Sequence, residues 1–199
     1  MTTTLRERRK QQTSREIRLA AIELCFEEGF ENVTTEAISA RSGVSQRTFF
    51  NYFPNKEAAI IARPPPFPDD VVADFVNGSG TFLEDLEALV IAHLGQLEED
   101  REIIRTLRNL IEMHPVLRAA HDASMRLLLA ELSGFFARRS PDTDPVVMEM
   151  LASAVVMAIG GIIRSIDQDE TPFAARVDEV FVRLRTMVDV VSQPPVAMG

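Results

Sequence analysis

The chain has 199 residues, 46% of them hydrophobic, and 21 Lys and Arg against 30 Asp and Glu give it a formal charge of -9. Such a composition supports a sizeable apolar core and excludes a wholly disordered chain. The single cysteine, Cys25, excludes an intrachain disulfide and fits a reducing compartment.

In chain order, the first segment is basic: residues 1–18 hold six Lys or Arg and two acids. It has no apolar stretch of the kind a secretory signal needs, so a soluble protein in the cytoplasm is expected. Residues 1–63 carry ten basic and eight acidic side chains, whereas residues 64–199 carry eleven and twenty-two. A basic end on an acidic body points to a polyanion as the partner of that end. No segment sustains a period of two, so an all-α fold is expected.

Thr13 and Glu16 have capping-box spacing ahead of Ile17, Ala21, Leu24 and Cys25, which share one helical face. Gly29 is placed to stop that helix. Thr34 is a cap for a helix over 35–42, which Gly43 ends; Ser45 caps a helix to Tyr52; Asn55 caps another from Lys56. The prolines of "RPPPFPDD" (63–70) cannot continue a helix, and they divide a domain over 1–63 from a second over 64–199.

A short helix is expected at 70–75, then a break at "NGSG" (77–80). Thr81 and Glu84 form a second capping box before a stripe of Phe82, Leu83, Leu86, Leu89, Val90, His93, Leu94 and Leu97. Glu98, Glu99 and Asp100 read as a solvated charge run at a helix junction. Ile103, Ile104, Leu107, Leu110 and Ile111 mark the next helix, and His114-Pro115 separates it from one reaching about Arg138. "SPDTDP" (140–145) is a turn.

Residues 146–167 are apolar on nearly every face, which predicts a helix buried on both sides. The most apolar run, from Leu151 to Ile163, falls short of the roughly 18 residues of a membrane span. The small residues of "AIGGII" (158–163) leave room for another backbone. Thr171 and Pro172 open the last helix, with Phe173, Val177, Val180, Phe181, Leu184, Met187, Val188 and Val191 as its stripe, and "SQPPVAMG" reads as a loose tail.

Two helices joined through Gly43 and Val44 make a helix-turn-helix pattern. Ala37, Ile38, Val44, Phe49 and Phe53 form its buried seam, which leaves Gln46, Arg47, Thr48 and Asn51 exposed on the second helix. These are donor-rich side chains without an acid among them, suited to base edges in the major groove: Arg47 to guanine, Gln46 to adenine. Tyr52 and Lys56 lie where a phosphate strand would pass, and the helix starts at Thr34, Ser45 and Asn55 add backbone donors.

Residues 13–60 resemble the DNA-binding domain of the TetR family of bacterial transcriptional regulators. The resemblance rests on "AAIELCFEEGFENVTTEAISARSGVSQRTFFNYFPNKEA", above all on its "T-F-F-N-Y-F-P-N-K-E" passage. It implies a three-helix DNA-binding domain, a connecting fourth helix and a C-terminal helical domain for ligand binding and dimerisation. It also implies that Thr34, Thr35, Tyr52 and Lys56 contact phosphates, while Gln46, Arg47, Thr48 and Asn51 face the groove; Ser45, at the helix start, completes the expected DNA-binding set. One departure is Phe50, which stands where the family often has Tyr and lacks the hydroxyl for a phosphate hydrogen bond.

Under this resemblance the chain is a homodimer joined through its last two helices, released by ligand from an inverted-repeat operator. The expected effector is small and apolar, lodged among helices over 81–138. Candidate lining residues are Phe82, Leu86, Met113, Met125, Leu128, Phe135 and Phe136, with His93, Asn109, His114 and His121 as polar candidates. No cofactor and no metal site are expected, because the three His lack ligand spacing. An enzyme is disfavoured, since the chain carries no P-loop, dinucleotide fingerprint or nucleophile elbow. The alternative is a helical ligand-binding protein that does not touch DNA.

Overall fold

The structure, a computed structural model, describes residues 5–61, 63–165 and 170–192. These residues contain ten α-helices and three short 3-10 turns, and no strand occurs among them. By packing, the chain forms two compact units, one of residues 1–64 with 102–126, the other of residues 65–101 with 127–199. This division is not a cut in chain order at residue 63, because residues 102–126 pack with the N-terminal helices.

The first unit contains α1 (Leu5–Glu28), α2 (Thr35–Arg41), α3 (Gln46–Tyr52), α4 (Lys56–Ile60), α7 (Arg101–Met113) from Glu102 onward, and α8 (Pro115–Arg139) as far as Arg126. α1 begins eight residues before Thr13, so Thr13 and Glu16 lie inside the helix rather than capping it. The reason is propensity: "LRERRKQQ" contains strong helix formers and neither Gly nor Pro. Gln12 adds a side-chain hydrogen bond to Glu16 one turn on, at 2.8 Å. The core joins Ile17, Ala21, Leu24 and Cys25 of α1 to Ile38, Phe49, Phe53 and Ile60, and Ile103, Leu110 and Leu117 close it. Burial pushes the Cys25 thiol up to about 11, which makes it a packed apolar group at neutral pH.

The second unit contains α5 (Asp69–Asn77), α6 (Phe82–Leu97), the latter part of α8, α9 (Pro145–Arg164) and α10 (Val177–Ser192). Both bonds of the Thr81–Glu84 capping box are formed at the start of α6. Arg139, at the end of α8, donates to the carbonyls of Gly78 and Gly80 and pairs with Asp85 at 2.7 Å. That one side chain therefore fixes the entry to α6.

The Glu98–Asp100 junction is more than a solvated run. Glu98 accepts from Arg101 Nε at 2.7 Å and from the Phe173 backbone N–H at 2.8 Å, while Arg101 donates to the Thr171 carbonyl and covers the Phe173 ring. The last helix also starts differently from expectation: a 3-10 turn over Phe173–Arg176 precedes α10. Phe173, Val177, Val180, Phe181 and Leu184 are buried as its stripe requires, but Met187 is exposed.

α9 is 20 residues long and apolar enough, by length and composition, to cross a membrane, which the shorter run from Leu151 to Ile163 did not suggest. Within the chain it buries one stripe, Met148, Ala152, Val155, Ile159 and Ile162, rather than all its faces. Val146, Val147, Met150 and Met157 are left exposed. Side chains take the space beside its glycines: a Cβ at Gly160 or Gly161 would sit 3.2 Å from an Nη1 atom of Arg164 or Arg183. The end of the expected 146–167 helix and nearly all of the expected loose tail lie outside the described residues.

Candidate nucleic-acid interface

Three caps shape the helix-turn-helix. Thr34 Oγ1 accepts from Ala37 N at 3.1 Å, Ser45 Oγ from Thr48 N at 3.0 Å and Asn55 Oδ1 from Ala58 N at 2.8 Å. Each satisfies a backbone donor that its helix leaves unpaired, a contribution of about 1 kcal/mol apiece. Between α2 and α3 the chain turns at Gly43, whose φ of 69° is open to glycine and costly for most other residues.

The turn sets the faces of α3. Phe49 is fully buried and Phe53 nearly so, anchoring the helix to the unit's core. Burying a Phe side chain is worth about 2–3 kcal/mol, enough to hold a seven-residue helix that would not form alone. Gln46, Arg47, Phe50 and Asn51 are exposed. At one-turn spacing these four lie on one contiguous face. No acidic residue lies within α3.

Thr48 does not join that face. It is half-buried, and its hydroxyl shares a 2.8 Å hydrogen bond with Ser45. Phe50 stands in its place, 53% exposed, its ring edge-on to Phe49 at a centroid distance of 5.4 Å.

Lys56 also lies differently from the sequence expectation. Its Nζ donates to the carbonyls of Phe30 at 2.8 Å and Val33 at 2.9 Å and lies 4.4 Å from the centre of the Phe30 ring. Two of its three donors thus hold the α1–α2 connection, and Tyr52 beside it is half-buried.

Glu36 is an acid beside this face. Its own backbone N–H, then the Gln46 side chain, hold its carboxylate below the usual range, and the Thr35 and Thr34 side chains add to this. An acid therefore stands among Thr34, Thr35 and Gln46. Its signal in the sequence is an acid in the first turn of a helix, a position the helix dipole favours.

The effector candidates divide between the two units. Phe82, Leu86, His93, Leu128, Phe135 and Phe136 belong to the second; Asn109, Met113, His114, His121 and Met125 belong to the first. Met113 is 63% exposed and Asn109 is exposed as well, which turns both away from any interior lining. His114 packs against Phe30 at 5.1 Å, and His121 is partly exposed beside Asp122.

In the second unit Phe82, Phe75 and Phe136 form one aromatic cluster, with ring centres 5.2–5.6 Å apart. Phe67, Phe135 and His93 form another, in which His93 stacks on Phe67 at 4.3 Å. His93 is 1% exposed, its Nδ1 has no hydrogen-bond partner, and burial lowers its pKa from 6.5 to about 4. Among the described residues no cluster of His, Cys, Asp and Glu has the arrangement to hold a metal ion.

Residues 17–62, which hold this helix-turn-helix, match the family model of bacterial regulatory proteins of the tetR family. Over that segment the chain is similar to the tetR family. Solved TetR-like structures cover nearly all of the chain. NalD of Pseudomonas aeruginosa, described as the secondary repressor of the MexAB-OprM multidrug efflux pump, is 18% identical, with a TM-score of 0.55 over 88% of this chain and 96% of its own. SmeT, solved with triclosan, is 20% identical, with a TM-score of 0.54 over 94% of this chain and 98% of its own. FadR of Thermus thermophilus, a TetR-family repressor solved with lauroyl-CoA, is 19% identical, with a TM-score of 0.50 over 94% of this chain and 100% of its own. At these identities the likeness to the three structures is one of fold. No curated protein matches the chain.

Proposed function

We propose that this chain is a TetR-family DNA-binding transcriptional repressor that acts as a homodimer and is released from an inverted-repeat operator by a small apolar effector. The observation that carries this reading is the exposed face of α3. Gln46, Arg47 and Asn51 offer hydrogen-bonding groups on a helix without acids, and buried Phe49 and Phe53 fix its orientation. Such a face fits base edges in the major groove, with Arg47 on guanine and Gln46 or Asn51 on adenine. Thr34, Thr35, Ser45, Tyr52 and the remaining donor of Lys56 are the proposed phosphate contacts.

Dimerisation would cover apolar surface that the single chain leaves open: Val146, Val147, Met150 and Met157 on α9, Val182, Met187 and Val190 on α10. A twofold dimer implies an operator with inverted half-sites. The effector site is assigned to the second unit, whose two aromatic clusters supply apolar lining and whose His93 supplies a neutral polar atom. SmeT, solved with triclosan, and FadR, solved with lauroyl-CoA, whose acyl chain is apolar though its CoA part is charged, lend support to an effector with an apolar portion. Release requires that the effector bind the non-operator state more tightly than the operator-bound one. The compartment for such a protein is the cytoplasm.

The test is fluorescence anisotropy with DNA from immediately upstream of the protein's own gene, against scrambled DNA, at two salt concentrations. Preference for the upstream DNA, weakening as salt rises, is the expected result. Arg47→Ala should lose specific affinity and relax one base position while leaving binding to scrambled DNA nearly unchanged. A folded dimer that binds neither DNA in the absence of effector would overturn the reading.

A further inference from the structure

Phe50 is the apolar member of an otherwise polar face. It lies one helical turn from Gln46 and Arg47 and beside Asn51, all four exposed. A lone exposed Phe is unremarkable in itself; its position is what matters here. Thr48, the one residue of α3 with a methyl group, is half-buried, and its hydroxyl shares a hydrogen bond with Ser45. The Phe50 ring is braced edge-on by buried Phe49 and so is presented outward in a settled orientation. It has no hydroxyl and can make no hydrogen bond to a phosphate or a base.

Base edges in the major groove expose one protruding apolar group, the C5-methyl of thymine. We propose that Phe50 is a specificity-determining residue that recognises a thymine through this methyl group, next to the base pairs met by Gln46 and Arg47. This assignment rests on the reading of α3 as the DNA-contacting helix. Aromatic-to-methyl contact selects T·A over C·G at one position of each half-site and adds no phosphate contact.

The test uses the full chain and its Phe50→Ala and Phe50→Leu variants, each checked for helical content and thermal melting. Wild-type protein enriches duplexes from a randomised pool, and each thymidine of an enriched duplex is then replaced singly by deoxyuridine. One thymidine per half-site should prove sensitive, with loss of its methyl weakening wild-type binding about fourfold, the equivalent of one buried methyl. Phe50→Ala should bind the thymidine and deoxyuridine duplexes equally, and Phe50→Leu should keep part of the difference. With Phe50→Ala misfolded, the Leu variant carries the comparison. Enriched duplexes in which no single deoxyuridine separates wild type from the variants would overturn the role of Phe50 alone. A pool that yields no enriched duplex would overturn DNA reading itself, and the role of Phe50 with it.

Discussion

His93 makes stability depend on pH in a way that can be worked out. Its ring is 1% exposed and stacked on Phe67, and burial lowers its pKa from 6.5 to about 4. A depressed pKa means that the fold prefers the neutral ring, so the stabilisation is present above the unfolded pKa and is lost as pH falls toward the folded one. Between pH 7 and pH 4.5 the unfolded chain takes up about three-quarters of a proton at this site and the folded chain about a quarter. The linkage integral over that interval is about 2 kcal/mol. Carboxylates titrate over the same range, so the effect is isolated by comparison with His93→Leu. Urea denaturation followed by circular dichroism at the two pH values gives both free energies. Wild type should lose about 2 kcal/mol more than His93→Leu on acidification. Equal losses would show that His93 is protonated in the fold, and the argument from burial would fail.

Three further substitutions test the local reasoning. Lys56→Met should lower the unfolding free energy by about 1–2 kcal/mol, and Lys56→Arg by a similar part, since Arg keeps the charge but not the fit between two carbonyls; unchanged urea midpoints in both would place the ammonium elsewhere. Gly43→Ala should cost about 1 kcal/mol from its positive φ alone, with Gly43→Asn milder, because a Cβ there meets nothing within 4 Å; a much larger thermal shift would mean that the turn is tighter than described. Arg139→Met should destabilise by about 2 kcal/mol, and a double-mutant cycle with Asp85→Asn should show coupling, since the pair is largely shielded at 2.7 Å; additive losses would refute the clamp.

Legibility in the sequence followed the range of the interaction. Thr34, Ser45, Asn55 and Thr81 were readable as caps because a cap bonds a backbone group three residues away. The Thr13–Glu16 pair failed as a signal because the same spacing also occurs inside a helix, and the residues before it are themselves helix formers. Lys56 reaches carbonyls 23 and 26 residues back, for which no local pattern exists. The second unit was the least legible. Periodicity gave the buried face of α6 correctly from Leu86 to Leu94 but could not say which neighbouring stripes meet it, nor that Met113 and Asn109 are exposed.

α3 separates what holds the fold from what can touch a partner. Phe49 and Phe53 serve the core, Ser45 and Thr48 serve the cap, and Gln46, Arg47, Phe50 and Asn51 face outward. Substitutions in the first two groups act on stability, whereas those in the third change the chemistry of the face at little cost to the fold. The charge distribution follows the same division. The acidic excess lies in residues 64–199, and α3, a helix with no acid of its own, lies in the N-terminal region, where basic and acidic residues nearly balance. Contact with a polyanion is thereby favoured locally and disfavoured by the body of the chain; under the proposed function, base contacts would then contribute more to selecting a site than charge does.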